Sequence, residues 1–326
     1  MSDWEGVRLH VVTGKGGTGK TTVAASLALA LAAGGRKVLL VEVEERQGLA
    51  QLFDVAPLPY AERKLAVARD GGDVYGLAVD AREATYEYLD MYYHLGRAGR
   101  ALDRMGVIEF ATTVAPGMRD VLLTGKTYEA TRRRGRDQRL VYDAVVLDAP
   151  PTGRITRFLS VNTAVTSLAR VGPINRHAAS ITELISSPRT AVHLVTVLEE
   201  MPVQETADAI GELEDTGIPV GAVVVNQIRR PYLTVRDLAA ARRGRLDPAT
   251  VEAGLKAAGL PSDDAVVDQL VEEAAGHADR VALERQERAA VARLDRRTYE
   301  LAHIADGIDL AALYQLGGSL AAQGAA

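Results

Sequence analysis

Short, nearly continuous apolar runs recur along the chain, separated by longer stretches with helical character. Strands of a parallel sheet that are covered on both faces are rich in Val, Ile and Leu along their whole length, and these runs have that composition. The predicted strands are VRLHVVTG, KVLLVEVE, DVYGLAVDA, DAVVLDAP, TAVHLVTVL and IPVGAVVVN, followed by a short one within TYELAHIADGIDLAALYQL. This alternation predicts an α/β fold with a doubly wound, mostly parallel sheet, in which ligands bind at the C-terminal ends of the strands.

Two stretches lack the strand pattern and are predicted to be helical insertions, at about residues 82–136 and 232–297. The first contains four clustered tyrosines, which are Tyr86, Tyr88, Tyr92 and Tyr93. The second is rich in Ala, Arg, Asp and Glu, and its segment ERQERAAVARLDRR is typical of a solvated amphipathic helix. We expect a single α/β domain over residues 1–326 that carries these two insertions.

Composition limits the classes of partner and cofactor. The formal net charge is −5, so the overall charge does not indicate binding to nucleic acid, and no nucleic acid partner is expected. The chain contains no cysteine, which excludes disulfides, cysteine-bound zinc and a thiolate site for metalloids. The apolar run at residues 23–33 has 11 residues, whereas a membrane-spanning helix needs roughly 18 or more, and no signal peptide pattern precedes it. We therefore expect a cytoplasmic protein.

The segment GKGGTGKTT, residues 14–22, satisfies two glycine-loop patterns. Read as G-x-G-x-x-G it would bind a dinucleotide, with Glu42 at the end of the second strand holding a ribose. Read as G-x-x-x-x-G-K-[ST] it is a phosphate loop, in which Lys20 reaches the β- and γ-phosphates and the Thr21 hydroxyl ligates magnesium. The dinucleotide interpretation leaves Lys20 and Thr21 without a role, and the N-terminus of the following helix favours phosphate. We therefore predict a phosphate loop that binds ATP or ADP with Mg²⁺.

The expected nucleotide contacts lie in this loop and at the end of a later strand. The loop residues predicted to bind nucleotide are Gly14, Lys15, Gly16, Gly17, Thr18, Gly19, Lys20, Thr21 and Thr22. Asp148 ends the strand in DAVVLDAPPTG, so Thr21 and Asp148 are the predicted magnesium ligands. An aspartate at this place could also cap the next helix. The Pro and Gly residues that follow favour a γ-phosphate sensor instead, in which Pro151 and the Gly153 backbone contact the nucleotide.

These segments resemble a known family. The loop GKGGTGKT and the stretches LDAPPTGRITRFLS, APGMRDVLLTGKTYE and VLEEMPVQETADAIGELEDTGIPVGAVVVNQI are similar to those of the arsenical-pump and Get-type ATPases, P-loop NTPases of the deviant Walker A class. The resemblance runs over nearly the whole chain, is weakest at residues 229–297, and is strongest to actinobacterial anion-transporting members that occur as paired paralogues. It implies an ATPase that forms a homodimer, or a heterodimer with a paralogous ATPase. Its nucleotide state would be coupled to transport or targeting of a client, for which a membrane protein is one candidate.

The resemblance also implies roles for individual residues. Lys15, the additional lysine of the loop, would cross the dimer interface to the partner's nucleotide phosphates, much as an arginine finger does. Asn226, at the end of AVVVN, would hydrogen-bond adenine. Glu44 takes the place of the switch I aspartate that orients the attacking water, so the predicted catalytic residues are Lys15, Lys20 and Glu44. Since Glu44 has one more methylene than aspartate, we expect hydrolysis to be slow or to depend on a partner. Arg154 takes the place of the usual switch II histidine.

Two other functions stay open. A MinD/ParA-like positioning switch would need a membrane-binding amphipathic helix or a basic surface for DNA, and the segment DLAALYQLGGSLAAQGAA contains no Lys or Arg. A nucleotide-dependent assembly subunit of a heterodimer, with weak hydrolysis, is compatible with Glu44.

A Get-type client groove would be apolar and often rich in methionine, for which the first insertion offers Met91, Met105 and Met118. The tyrosine cluster in the same insertion is more typical of a core.

Overall fold

The computed structural model describes residues 2–44, 46–93, 117–168 and 173–326, and the strands of these ranges form an eight-stranded sheet. The strands are β1 (Leu9–Gly14), β2 (Lys37–Glu42), β3 (Arg63–Val67), β4 (Asp73–Ala78), β5 (Ala144–Asp148), β6 (Thr190–Thr196), β7 (Val220–Ile228) and β8 (Thr298–Ala302). Their order across the sheet is β3-β4-β2-β5-β1-β6-β7-β8, and all neighbours pair in parallel except β3 and β4. The predicted α/β class with a mostly parallel sheet is confirmed.

Helices cover both faces of this sheet. Those described are α1 (Lys20–Ala32), α2 (Gly48–Leu52), α3 (Ala81–Tyr93), α4 (Met118–Arg132), α5 (Thr152–Leu168), α6 (Pro173–Ile185), α7 (Glu200–Asp215), α8 (Val235–Arg242), α9 (Pro248–Ala257), α10 (Asp264–Ala292) and α11 (Leu310–Ala322). Successive strand residues point to opposite faces. Val11 of β1 therefore packs in an apolar cluster with α4 to α7, whereas Val12 packs in one with α1 and α11. Burial on both faces explains why the strands read as continuous apolar runs.

Strand β3 was not expected from the sequence. Its residues RKLAV lie at the edge of the sheet, antiparallel to β4, and only Ala66 among them is buried. An edge strand exposed on most of its surface needs no continuous apolar run, so it carries no hydrophobic signal. Lys64 on this strand forms an ion pair with Asp73, the first residue of β4, at 2.7 Å.

Strand β8 forms the opposite edge, and one side chain covers part of it. Gln323, directly after α11, donates from Nε2 to the backbone carbonyl of Glu300 at 2.9 Å. Its Oε1 accepts from the backbone N–H of Glu300, also at 2.9 Å. The side-chain amide thus pairs with both polar backbone groups of this edge residue.

Helices α3 and α4 lie in the described parts of the first predicted insertion, and α8 to α10 lie in the second. The second group has a small apolar cluster of its own, whose buried members are Leu238, Ala241, Ala278 and Val281. Several residues discussed for the first insertion lie outside the described residues, namely Met105 and the side chains of Tyr88, Met91, Tyr92 and Tyr93. That the chain forms one domain stays a prediction. Within the described ranges, no helix is both long enough and apolar enough to cross a bilayer.

The C-terminal ends of three central strands lie side by side. Strand β5 lies between β1 and β2, and Asp148 is in register with Val12 on one side and with Glu42 on the other. Strand β1 runs directly into the glycine loop, which leads into α1 at Lys20. The topology therefore places the loop, Glu42 and Asp148 along one end of the sheet, where ligands of such folds bind.

Candidate active site

Two glycines allow the loop between β1 and α1 to take its path. Gly14 passes so close to β6 that a Cβ atom there would lie 2.2 Å from the carbonyl oxygen of Val195. Gly19 has a φ of 85°, in the left-handed region, and a Cβ atom there would lie 2.4 Å from Nδ2 of Asn226. Gly14 therefore excludes a side chain, and a side chain at Gly19 would strain the backbone and displace Asn226. The spacing of these glycines in the sequence reflects the packing of the loop against β6 and β7.

Hydrogen bonds hold the loop closed. Thr18 Oγ1 donates to the carbonyl of Lys15 at 2.8 Å, across the tip that Gly16 and Gly17 form. Asn226 Nδ2 is buried near the end of β7 and donates to the carbonyl of Thr18 at 2.9 Å. Asn226 thus braces the loop from a distant part of the chain, a contact that was not expected from the sequence. Its contact with adenine stays a prediction.

Thr21 and Asp148, the two predicted metal ligands, are in contact. Thr21 Oγ1 donates to Asp148 Oδ2 at 2.7 Å, and Asp148 is 7% exposed. The other carboxylate oxygen, Oδ1, is buried and has no hydrogen-bond partner among the described residues. A buried polar atom without a partner is destabilising, and hydroxyl and carboxylate oxygens are ligands that Mg²⁺ prefers. The residues therefore fit a magnesium ion.

The surroundings of Asp148 alter its acidity. Burial, with added repulsion from Glu42 and Glu44, raises the pKa of its carboxyl to about 7, although the Thr21 hydrogen bond and the charge of Lys20 act in the opposite direction. A divalent cation would favour the carboxylate and lower this pKa. Binding of a cation near neutral pH would therefore release a proton from Asp148.

A cleft of about 580 Å³ opens beside this pair, a size typical of small-molecule sites. Its lining residues are Gly17, Gly19, Lys20, Thr21, Thr22, Glu42, Glu44, Arg46, Gly48, Gln51, Leu52, Asp148 and Ile308. The structure thus brings together the loop lysine and hydroxyls, the switch I glutamate and the strand-end aspartate that the sequence pointed to. Seven other predicted site residues do not line this cleft, namely Gly14, Lys15, Gly16, Thr18, Pro151, Gly153 and Asn226.

Two glutamates of the cleft come from the end of β2 and the segment after it. Glu42 is 2% exposed and accepts from the backbone N–H groups of Gly48, at 2.8 Å, and Leu49, at 3.4 Å, so it fixes the start of α2. Glu44, the predicted water-positioning residue, lies 3.9 Å from the Arg46 guanidinium. The sequence pointed to Glu42 only under the dinucleotide interpretation. Its position at the end of a strand next to β5 is the signal that could have placed it in this site.

The segment between β5 and α5 is anchored to β1. Thr13 Oγ1 donates to the carbonyl of Pro150 at 2.7 Å. Pro151 is half-buried, and Gly153, in the first turn of α5, is exposed with open space where a Cβ atom would be. No contact within the described chain requires glycine at position 153, so its approach to a phosphate stays a prediction.

Lys15 contacts its own chain. Its Nζ forms an ion pair with Glu205 Oε1 on α7. The other oxygen of the same carboxylate, Oε2, accepts from Thr152 Oγ1 at 3.2 Å. Glu205 lies 190 residues from Lys15 along the chain and belongs to no glycine-loop or strand-end motif, so the sequence did not point to it.

Comparison with known proteins identifies the family of this chain. The sequence matches the anion-transporting ATPase family over residues 7–187 and 174–232. It is 54% identical over 319 residues to ATPase BagA of Mycobacterium tuberculosis (strain ATCC 25618 / H37Rv), a match that covers 98% of this chain and 94% of that protein. It is 26% identical over 275 residues to the arsenical pump-driving ATPase of Acidiphilium multivorum, which covers 77% of this chain and 45% of that protein. The chain therefore belongs to the anion-transporting ATPase family and is an ATPase.

Proposed function

We propose that this ATPase binds Mg-ATP in the cleft beside the phosphate loop and hydrolyses it by in-line attack of water on the γ-phosphate. The contact between Thr21 and Asp148, with one Asp148 oxygen buried and unpartnered, is the observation that carries this proposal. An aspartate that only capped α5 would direct its carboxylate at backbone N–H groups of that helix. Asp148 instead accepts from Thr21 on α1, beside Lys20.

Each residue of the cleft has a distinct part in this proposal. Lys20 and the backbone N–H groups of the loop stabilise negative charge on the β- and γ-phosphates. Thr21 and Asp148 hold Mg²⁺, which when bound supplies positive charge at the phosphate oxygens. Glu44 positions the attacking water and accepts a hydrogen bond from it. The segment with Pro151 and Gly153 contacts the γ-phosphate and so distinguishes ATP from ADP.

We also propose that the ATPase works as a dimer, either of identical chains or with a paralogous ATPase. The sequence contains a single phosphate loop. Lys15 can therefore reach a second nucleotide only when two chains meet at their loops. A positive charge supplied in this way neutralises charge in the transition state of phosphoryl transfer.

The nucleotide cycle of this dimer would be coupled to a client. One relative is by name an arsenical pump-driving ATPase, but this chain has no cysteine that could bind a metalloid as thiolate. We therefore favour transport or targeting of a different client, with a membrane protein as one candidate. The expected cytoplasmic location and the contact of Asn226 with adenine belong to the same proposal.

A magnesium titration of ATP hydrolysis by the full chain tests the assignment of the site. Asp148→Asn retains an oxygen for the Thr21 hydroxyl but removes the charge that attracts the cation. We expect turnover at a fixed, moderate magnesium concentration to fall about 100-fold or more. The matched control is Asp143→Asn, because Asp143 directly precedes the same strand, at its other end, and accepts from the backbone N–H of Lys37 at 2.7 Å. An unchanged magnesium dependence in Asp148→Asn would refute the assignment.

A second candidate is a nucleotide-dependent assembly subunit in which hydrolysis is weak. It is favoured by Glu44, whose carboxylate lies near Arg46 and is one methylene longer than the aspartate of related ATPases. Turnover measured alone and with a paralogous partner separates the two functions. A rate that stays near the limit of detection in both cases supports the assembly subunit.

A further inference from the structure

One carboxylate joins the phosphate loop to α5, the helix that follows Asp148 and Pro151. Glu205, in the second turn of α7, forms an ion pair with Lys15 through Oε1 and accepts from Thr152 through Oε2, at 3.2 Å for the latter contact. Lys15 is the loop residue proposed to act on a partner's nucleotide, and Thr152 is the first residue of α5. Glu205 therefore contacts both elements that must respond to the γ-phosphate.

A second contact of the same kind lies farther along the two helices. Thr156 Oγ1 of α5 donates to Glu212 Oε2 of α7 at 2.9 Å. Glu205 and Glu212 are two helical turns apart, so both lie on the same face of α7. Each glutamate accepts from a threonine of α5, but Lys15 pairs with Glu205. Glu212 is thus a natural comparison that shares the helix contact without the lysine.

The ion pair is of a kind that a nucleotide can replace. The side chains of Lys15 and Glu205 are 31% and 34% exposed, and pairs exposed to this extent are weak because water and salt screen them. Phosphate groups carry more negative charge than one carboxylate and form stronger charge-assisted hydrogen bonds with an ammonium group. Thr152 meanwhile keeps the Glu205 carboxylate in place through its second oxygen.

We propose that Glu205 is a positioning residue that holds Lys15 within its own chain until ATP and a partner chain are present. Lys15 then leaves Glu205 and pairs with the phosphates bound by the partner. This inference rests on the proposed dimeric function, which it extends by naming the group that restrains Lys15. Removal of the Glu205 charge frees Lys15 before nucleotide binds and makes ATP-dependent pairing of chains easier.

The restraint is measured directly by the reactivity of the Lys15 amine. The full chain without nucleotide is acetylated with an N-hydroxysuccinimide ester, and the rate at each lysine is read by peptide mass spectrometry. Glu205→Gln keeps an oxygen for Thr152 but loses the charge, and we expect Lys15 to react about two- to fivefold faster, the range that weak exposed ion pairs imply. Glu212→Gln is expected to leave the rate at Lys15 unchanged. Lys64, which pairs with Asp73 at the sheet edge, is the internal reference.

The transfer of Lys15 is measured by sedimentation of the same variants with Mg²⁺ and increasing ATP, alone and with a paralogous ATPase. We expect Glu205→Gln to form dimers at an ATP concentration about two- to fivefold lower than wild type and Glu212→Gln. Equal reactivity of Lys15 in wild type and Glu205→Gln overturns the restraint, whatever the ATPase rate. Faster reaction with an unchanged ATP requirement for dimers overturns the transfer. If no variant forms a dimer in any mixture, the proposed dimeric function fails even though the contact exists.

Discussion

Two histidines are buried in their neutral form, and we expect their contribution to the free energy of unfolding to decrease between pH 7 and pH 5. His10 of β1 and His193 of β6 are 1% and 2% exposed, and His10 Nδ1 lies 3.1 Å from His193 Nε2. The backbone N–H of Ala222 donates to His193 Nδ1 at 3.1 Å, so His193 carries its proton on Nε2 and donates to His10. A further proton on either ring would bring a charge into the core, away from water.

The size of the stability loss follows from the pKa values of these imidazole rings. Burial lowers the pKa of His193 from 6.5 to about 4. Because the folded protein has the lower pKa, the stabilisation is complete above pH 6.5 and is lost as the pH falls from 6.5 towards 4. Integration of proton binding between pH 7 and pH 5 gives a loss of about 2 kcal/mol from His193 alone. Burial, with repulsion from His193 and Arg36, also lowers the pKa of His10, so its contribution has the same sign.

Urea unfolding of wild type and His193→Asn at several pH values measures this effect. The asparagine oxygen can accept from Ala222, but the side chain does not take up a proton. Carboxyl groups such as Asp148 titrate in both proteins, and their contributions cancel in the difference. We expect the free energy of unfolding of wild type to fall by about 2 kcal/mol relative to the variant between pH 7 and pH 5. Parallel pH curves for the two proteins would refute the reasoning.

Three other outcomes can be checked at the nucleotide site. Gly19→Ala should weaken ATP binding, because the left-handed backbone disfavours alanine by about 1–2 kcal/mol and the new methyl group meets Asn226. Titration with a fluorescent ATP analogue measures the affinity, and an unchanged affinity would contradict the packing described. As the pH increases to 7, magnesium affinity should increase about tenfold per pH unit, and above pH 7 it should level off, because the ion binds deprotonated Asp148. An affinity that does not change from pH 6 to 8 would show that Asp148 does not control binding. Glu42→Gln should slow turnover by about tenfold with less effect on ATP affinity, because the charged acceptor for Gly48 is lost. If Glu42 served mainly in binding, steady-state kinetics would instead show weaker ATP affinity with little change in turnover.

The parts of the site that could be predicted from the sequence are those that one local segment specifies. The loop at residues 14–22 carries its own pattern, and Asp148 ends an apolar run, so the parallel sheet alone predicts that they meet. The contacts that could not be predicted depend on which elements become neighbours in space. Asn226 braces the loop from β7, and Glu205 reaches Lys15 from α7, although nothing in either local sequence specifies these partners.

The fold shows the same difference between what a local segment specifies and what depends on neighbours in space. Six of the seven predicted strands have a largely continuous apolar character because they are buried on both faces. The seventh, β8, lies at an edge and alternates between exposed and buried residues. Strand β3 was missed because it pairs at an edge and buries little more than Ala66. Periodicity reports the surroundings of a side chain, so a strand whose side chains face water resembles a loop.

The amide of Gln323 has a consequence for assembly by strand addition. An extended peptide or a second sheet that adds to β8 needs free N–H and C=O groups along that strand. At Glu300 both groups are already engaged by Gln323, which imitates the peptide group of a ninth strand. At the other edge, Arg63 and Lys64 would face the same charges on a second copy of β3, a common protection against edge-to-edge aggregation. Growth of the sheet into a continuous ribbon is thus opposed at both edges, and contacts between chains are left to the helices that cover its faces and to the ends of its strands.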